Sequence, residues 1–303
     1  MAGGSKLWAK YSPGSVIGAG EHSSVSILVR KSDGKRFACK STRIDASSKS
    51  CSVTMKRVQV EAECLAKMSN HCGVVHYEEM VMDADAWHLI MELCDCSLAD
   101  WIQQRGKIPE AEAALLVRHL AATLDDLHSA GIMHRDVKPD NILLVSAKNS
   151  SGGGSTTSCA AAASLVVKYA DFGIAEYNCV SSAAAARKQL KDKVGTPRYV
   201  APEVMCGSYW LPADVWSLGV TLYQMLAGAS KVFSDYSTLG LLSDLKACAV
   251  TADACLDWDG IPGGAKDLIQ KMMDKNPYKR PKPADILAHP WVVATAALAL
   301  PSR

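Results

Sequence analysis

An α+β fold in two unequal lobes is what the sequence predicts, and three observations carry it. At 303 residues the chain exceeds a single typical core, so a split around one cleft is a natural way to bury it. Residues 11 to about 92 mix alternating segments with one helical stretch, which suits a small, mostly antiparallel sheet plus one helix. From Leu98 onward helical patterns dominate, so a larger and mostly helical lobe follows.

Taken in order, residues 1–10 are expected to be an N-terminal extension. Val25-Ser26-Ile27-Leu28-Val29 alternates as a half-buried strand does. Thr54 to Met68 places Val58, Leu65 and Met68 at helical spacing. The smaller lobe covers about 11–92, and 92–97 is the connection. Pro109 to His128 reads as a helix that starts with Pro-Glu in its first turn. Strands are expected at Asn141-Val145 and Leu165-Tyr169. Between them Ser146 to Ser164 is almost all Ser, Gly, Ala and Thr, with nothing large to bury, which predicts a flexible insert at a hairpin tip. It reads as tolerated slack or as a docking or modification loop. The larger lobe runs over 98–291, and 292–303 is a tail.

Composition limits the partners. A formal net charge of +2 argues against nucleic acid or an anionic membrane surface. No apolar run approaches the roughly 20 residues that span a bilayer, and Ala2 stands where N-myristoylation needs Gly. Eleven cysteines without regular spacing, and no leader ahead of residue 11, point to a reducing compartment, cytoplasmic or nuclear. A monomer is expected.

The chemistry lies in three motifs: His134-Arg135-Asp136-Val137-Lys138-Pro139-Asp140-Asn141, then Asp171-Phe172-Gly173, then Ala201-Pro202-Glu203. Phosphoryl transfer needs a carboxylate beside the attacking hydroxyl, oxygen-rich metal ligands and a cationic clamp, and these stretches supply most of that set in order. They resemble the signature of eukaryotic protein kinases, and the matches span about residues 11–291. The resemblance implies the bilobal protein kinase fold and a serine/threonine-directed transfer of the γ-phosphate of ATP to protein substrates, with ATP and Mg²⁺ as cofactors. Asp136 and Asp171 stand 35 positions apart, roughly twice the kinase spacing, and the insert accounts for the excess.

The resemblance then assigns roles. Ile17-Gly18-Ala19-Gly20-Glu21-His22-Ser23-Ser24-Val25 is similar to the glycine-rich loop over the phosphates, where Gly18 and Gly20 let backbone N–H groups approach. Lys40, in Phe37-Ala38-Cys39-Lys40, would hold the α- and β-phosphates and needs a carboxylate from the following helix. Glu61 and Glu63 compete for that place, and they point about 200° apart. Leu65, facing inward one turn later, selects Glu61. In His88-Leu89-Ile90-Met91-Glu92-Leu93-Cys94, Met91 would be the gatekeeper, while the Glu92 carbonyl and Cys94 N–H meet the adenine edge. Ile17, Val25, Ala38 and Leu143 would sandwich the base. Cys94 and Cys96 alone are poor zinc spacing.

On the catalytic side Asp136 would accept or orient the hydroxyl proton, Asn141 and Asp171 would ligate Mg²⁺, and Lys138 would neutralise developing charge. Lys138 resembles the Ser/Thr-directed kinases. Thr196, in Gly195-Thr196-Pro197-Arg198-Tyr199-Val200, would hydrogen-bond Asp136 and Lys138. Glu203 would pair with Arg280, and Asp214 would tie down the catalytic loop. Arg135 marks a kinase in which an anion orders the activation segment, and Asp192 stands where many relatives carry a phosphorylatable Thr. A carboxylate has about half the charge of a phosphate, so Asp192 is expected to order the loop without an upstream kinase; the bland alternative is one more exposed charge. Ser181 and Ser182 are further phosphosite candidates.

Lys191-Asp192-Lys193-Val194-Gly195-Thr196, Trp258, Ala265-Lys266-Asp267-Leu268-Ile269 and Leu287-Ala288-His289-Pro290-Trp291 are most similar to calcium-dependent protein kinases. Phe37-Ala38-Cys39-Lys40-Ser41 is shared with plant phosphoenolpyruvate carboxylase kinases. Asp257-Trp258-Asp259-Gly260 lacks the ligand spacing of a calcium loop, and no EF-hand follows Trp291, so calcium-independent activity is expected. Ala229-Ser230-Lys231-Val232-Phe233 and Ser97 depart from the family pattern, the second at a position where basic-directed kinases often have Glu. The competing readings are a pseudokinase scaffold and a small-molecule phosphotransferase of kinase-like fold.

Overall fold

The computed structural model describes residues 6–20, 23–45, 51–83, 85–146, 165–177, 189–228 and 256–296. The insert from 147 to 164, Glu21 and His22, Ser181 and Ser182, and Ala229–Phe233 lie outside the described residues. Among the described residues no helix is long and apolar enough to cross a membrane.

The first lobe is a five-stranded antiparallel sheet: β1 (Tyr11–Ala19), β2 (Ser23–Arg30), β3 (Arg36–Arg43), β4 (Tyr77–Met82) and β5 (Ala86–Glu92), in the order β1-β2-β3-β5-β4. Strand alternation divides its side chains between two cores. Phe37, Cys39 and Ile90 join Leu28, Val81, Tyr11 and Leu7 in a satellite cluster on one face. Ala38, Leu89 and Met91 belong to the main core on the other. The register sets Ala38 opposite Met91 and Lys40 opposite Leu89, so Lys40 emerges on the cleft side.

Both chain ends add to the lobes. Within the expected N-terminal extension, α1 (Lys6–Lys10) buries Leu7 in the satellite core and Lys10 pairs with Glu79 at 2.7 Å. A five-residue helix is too short to leave a periodic signal. At the other end the helix Pro290–Ala296 carries the fold past 291, with Val292 fully buried and Trp291 Nε1 donating to Glu110 Oε1 at 2.7 Å.

The long helix of the first lobe, α2, runs Cys51–Lys67, three residues earlier than its apolar period indicates. Its first turn has no acidic residue to announce the start. It buries Val58, Glu61, Ala62, Cys64 and Leu65. The second lobe begins at α3 (Leu98–Arg105), capped by Ser97, whose hydroxyl accepts from Asp100 N at 3.0 Å. Then comes α4 (Glu110–Ser129), for which Pro109 is the N-cap rather than the first helical residue. A small sheet of β6 (Cys96–Ser97), β7 (Ile142–Ser146) and β8 (Leu165–Tyr169) floors the cleft. Asn141 is not in a strand as expected: it ends a 3-10 turn, Pro139–Asn141, because its N–H bonds Lys138 O at 3.0 Å. The helices α5 (Pro202–Cys206) and α6 (Pro212–Ala227), with Gly263–Met272 and Pro283–Leu287, complete the lobe.

Candidate active site

The β1–β2 hairpin forms one wall. Gly18 lies opposite Val25, and Gly20 N donates to Ser23 O at 2.7 Å. Ile17 stays exposed at the rim. From the next strand, Lys40 Nζ donates to both oxygens of Glu61 at 3.0 and 2.9 Å and to Asp171 Oδ1 at 2.7 Å. Of the two glutamates that competed on α2, Glu61 meets the lysine; Glu63 is exposed. Burial pushes the Glu61 carboxyl up to about 7, against the pull of Lys40. Burial also drags on the Lys40 ammonium, but Glu61 and Asp171 outweigh it and hold it above its ordinary value. The two short bonds to Glu61 are the geometry of an ion pair. Gly173 closes this junction: a Cβ there would come within 3.2 Å of Asp171 Oδ1 and 3.5 Å of Glu61 Oε2.

Between the lobes Met91 is buried, and Ala38 packs beside it in the main core, with Val25, Leu143 and Cys94 packed against that core. Burial pushes the Cys94 thiol well up, so it stays protonated. Glu92 carries a network the sequence did not announce. Its Oε1 accepts from Lys168 Nζ of β8 and from His76 N, each at 2.6 Å. Lys168 is 76 positions away, and no local pattern could pair them.

The catalytic loop is held from below. Asp214, buried at the start of α6, accepts His134 N and Arg135 N at 2.9 Å each and faces His128 Nε2 at 3.0 Å. Burial opposes its ionisation, but His128, His134 and the Arg135 N–H keep the carboxyl below the ordinary range. This grip matters because Arg135 has φ 66° and Asp171 φ 60°, conformations that non-glycine residues rarely adopt and that cost on the order of 1–3 kcal/mol each. His134 packs against Phe172 in a tilted pair with centroids 4.7 Å apart, and its Nε2 donates to Ala170 O at 3.1 Å, which joins the loop to the segment bearing Asp171.

Asp136 is surrounded by donors. Oδ1 accepts from Thr196 N at 3.0 Å and Thr196 Oγ1 at 2.7 Å; Oδ2 accepts from Asn141 Nδ2 and Lys138 Nζ at 2.8 Å. Lys138 Nζ also donates to Thr196 Oγ1 at 2.6 Å. Asn141 gives its amide nitrogen to Asp136 twice, to the carbonyl at 2.9 Å and to the carboxylate. Among the described residues no hydrogen bond is made to its carbonyl oxygen. The half-exposed Asp171 has one carboxylate oxygen on Lys40 and the Gly173 N–H, and those contacts lower its carboxyl against the effect of burial. Hard oxygens of this kind, with one carboxylate open to the cleft, fit a magnesium ion that keeps its other positions for water and phosphate.

Arg135 is largely satisfied by backbone, donating to Ile174 O and, at 3.3 Å, to Ala175 O. Its guanidinium lies 3.6 Å from both Glu176 and Asp192. Asp192 is 72% exposed, so its charge acts mostly through water. Glu203 and Arg280 form a bidentate pair at 2.5 and 2.8 Å. Ser97 caps α3 with its side chain and carries no charge into the cleft.

A model of the protein kinase domain matches residues 11–292. Calcium-dependent protein kinase SK5 of Glycine max is 33% identical over 284 residues, 93% of this chain and 51% of its own. Calcium-dependent protein kinase 1 of Oryza sativa subsp. japonica is 33% identical over 94% of this chain and 50% of its own. Calcium-dependent protein kinase 12 of Arabidopsis thaliana is 32% identical over 93% and 53%. The chain thus spans about half the length of the curated relatives it matches.

Proposed function

The chain belongs to the protein kinase family, and from that premise we propose that it transfers the γ-phosphate of MgATP to serine or threonine hydroxyls of protein substrates. The observation that carries the proposal is Lys40 bridging Glu61 and Asp171, because it brings the phosphate-binding cation beside a metal-binding carboxylate. In this reading Gly18 and Gly20 approach the phosphates, Ile17, Val25, Ala38 and Leu143 enclose the base beside Met91, and the backbone of Glu92 and Cys94 meets its edge. Asp171 and Asn141 are the residues that would hold Mg²⁺, which when bound supplies charge neutralisation across the phosphate oxygens. Asp136 orients the substrate hydroxyl and takes its proton. Since donors already surround its carboxylate, the incoming hydroxyl replaces one of them, and Lys138 is then released toward the transferring phosphate.

Two finer points belong to the same reading. The catalytic contacts form within residues 11–292, so the domain itself is active without calcium. Asp192, at the rim of Arg135, supplies the anion that relatives obtain by phosphorylation. The test is transfer of ³²P from ATP to a Ser/Thr peptide library, with calcium or with a chelator, using Asp171→Asn as the blank. Equal transfer in both buffers is expected, and none by the blank. Absence of transfer by the wild-type chain would favour a pseudokinase scaffold. Activity that appears only with calcium removes the first point, and an Asp192→Ala variant with full activity removes the second.

A further inference from the structure

The turn that follows the Thr196–Asp136 contact is fixed at both ends. Tyr199 N donates to Thr196 O at 2.9 Å, which closes a β-turn with Pro197 and Arg198 at its tip. Thr196 is bound to Asp136 through N and Oγ1. Tyr199 is anchored by its hydroxyl to Gln224 Oε1 at 2.6 Å and by its carbonyl to Ser217 Oγ at 2.7 Å. Arg198 therefore leaves a rigid support, exposed, two residues from the side chain that touches the catalytic carboxylate. Two residues span at most about 7 Å.

The charges around this turn are unbalanced. No carboxylate among the described residues lies within ion-pair distance of Arg198. Lys191 and Lys193 are exposed on the same segment, and its one acid, Asp192, sits by Arg135. The residue beneath Tyr199 is the neutral Gln224. Ser97, at the edge of the cleft, is uncharged, and Asp100 is occupied by the Ser97 N–H and hydroxyl. Asp140 is the one exposed carboxylate on the catalytic loop. Both Asp140 and Arg198 act on the Tyr199 hydroxyl, so they share this face.

We propose that Arg198 is a specificity-determining residue, selecting Ser/Thr substrates that carry an acidic residue within a few positions of the phosphate acceptor. The proposal rests on the kinase reading above and names the substrate class of that same site. An arginine near the acceptor would meet Asp140 but be opposed by Arg198. A glutamate would gain a guanidinium carried on a fixed backbone turn, worth up to about a 5-fold change for an exposed pair.

The test uses the full chain and Ala-based peptides with one Ser and a single Glu, Ala or Arg placed in turn at positions up to four before and after it. The wild-type enzyme should show kcat/KM in the order Glu, Ala, Arg at the best position, mainly through KM. The preference should shrink as salt rises from about 0.05 to 0.5 M. Arg198→Ala should flatten the order and Arg198→Glu should invert it, each read as the ratio to that enzyme's own kcat/KM on the Ala peptide. Equal rates for Glu and Arg peptides, a preference for Arg, or an order that Arg198→Glu leaves unchanged overturns the proposal. Failure to phosphorylate any peptide, the Ala peptide included, refutes the kinase reading itself, and the specificity falls with it.

Discussion

Removing Glu203 should destabilise the second lobe more than any other single loss of a surface-reaching acid. Its partner Arg280 has no exposed side-chain surface, and Glu203 itself is 12% exposed. Arg280 Nη1 and Nη2 reach the two carboxylate oxygens, Nη1 also donates to Pro212 O at 3.0 Å, and Nε donates to Asp274 O at 2.8 Å. Its guanidinium lies 4.9 Å over the Trp216 ring. In Glu203→Ala the cation keeps two carbonyls and the ring but loses its counter-charge in a site water does not reach. Orphaning one member of such a pair costs about 3–5 kcal/mol. A domain is stable by about 5–15 kcal/mol, so this is about a fifth of the total or more, and Tm should fall by roughly 6–20 °C. Urea unfolding of Glu203→Ala, Arg280→Met and the double variant gives the coupling directly. The double variant leaves no buried charge, so it should be destabilised by clearly less than the two single losses added together. A cost under about 1 kcal/mol for Glu203→Ala, or strict additivity around the cycle, would falsify the reasoning.

Three further outcomes are expected. Asp214 has a carboxyl lowered in the folded state, so its contribution to stability is fully present above the ordinary aspartate value of 3.8 and is lost as pH falls through the lowered value. Urea midpoints compared between neutral pH and pH about 3 should drop less in Asp214→Asn than in the wild type, and an equal drop contradicts the assignment. A Cβ at Gly73 would stand 1.9 Å from Thr123 Oγ1, so Gly73→Ala should cost about 1–3 kcal/mol and Thr123→Ala in the same chain should recover part of it. Thermal melts of the three variants decide this. Leu7→Ala should cost about 2–5 kcal/mol if α1 is part of the first lobe, as its burial requires; a change within 0.5 kcal/mol, the scale of a surface site, means the helix is only resting there.

What the sequence disclosed and what it hid divide along the range of the interactions. Lys40, Asp136, Asn141 and Asp171 sit in short motifs whose spacing is itself the chemistry, and helical period chose Glu61 over Glu63 once the resemblance called for a carboxylate on that helix. Leu165–Tyr169 matches its strand to the residue, its start marked by the Ser/Gly/Ala/Thr run that ends at Ser164. The Glu92–Lys168 bond, the collision waiting at Gly73 and the burial of Leu7 each join segments far apart in the chain, where neither period nor composition bears any trace of the partner. The start of α2 was hidden for a local reason, since its first turn has no acidic residue.

The three carboxylates of the cleft show how one functional group is given three environments, and in the proposed reading environment rather than identity assigns their roles. Glu61 is nearly sealed from solvent, so its use is to hold the Lys40 ammonium and nothing larger can reach it. Asp136 is 13% exposed with a donor on every side, which suits orienting a small hydroxyl that replaces one hydrogen bond with another. Asp171 is 48% exposed, shares Lys40 with Glu61, and has an oxygen open to the cleft, so it is the one that can accept a hydrated cation without stripping its shell. Exchanging any two of these environments would leave the charges unchanged and the chemistry undone: a metal cannot enter beside Glu61, and a half-exposed acid in its place could not keep Lys40 from solvent.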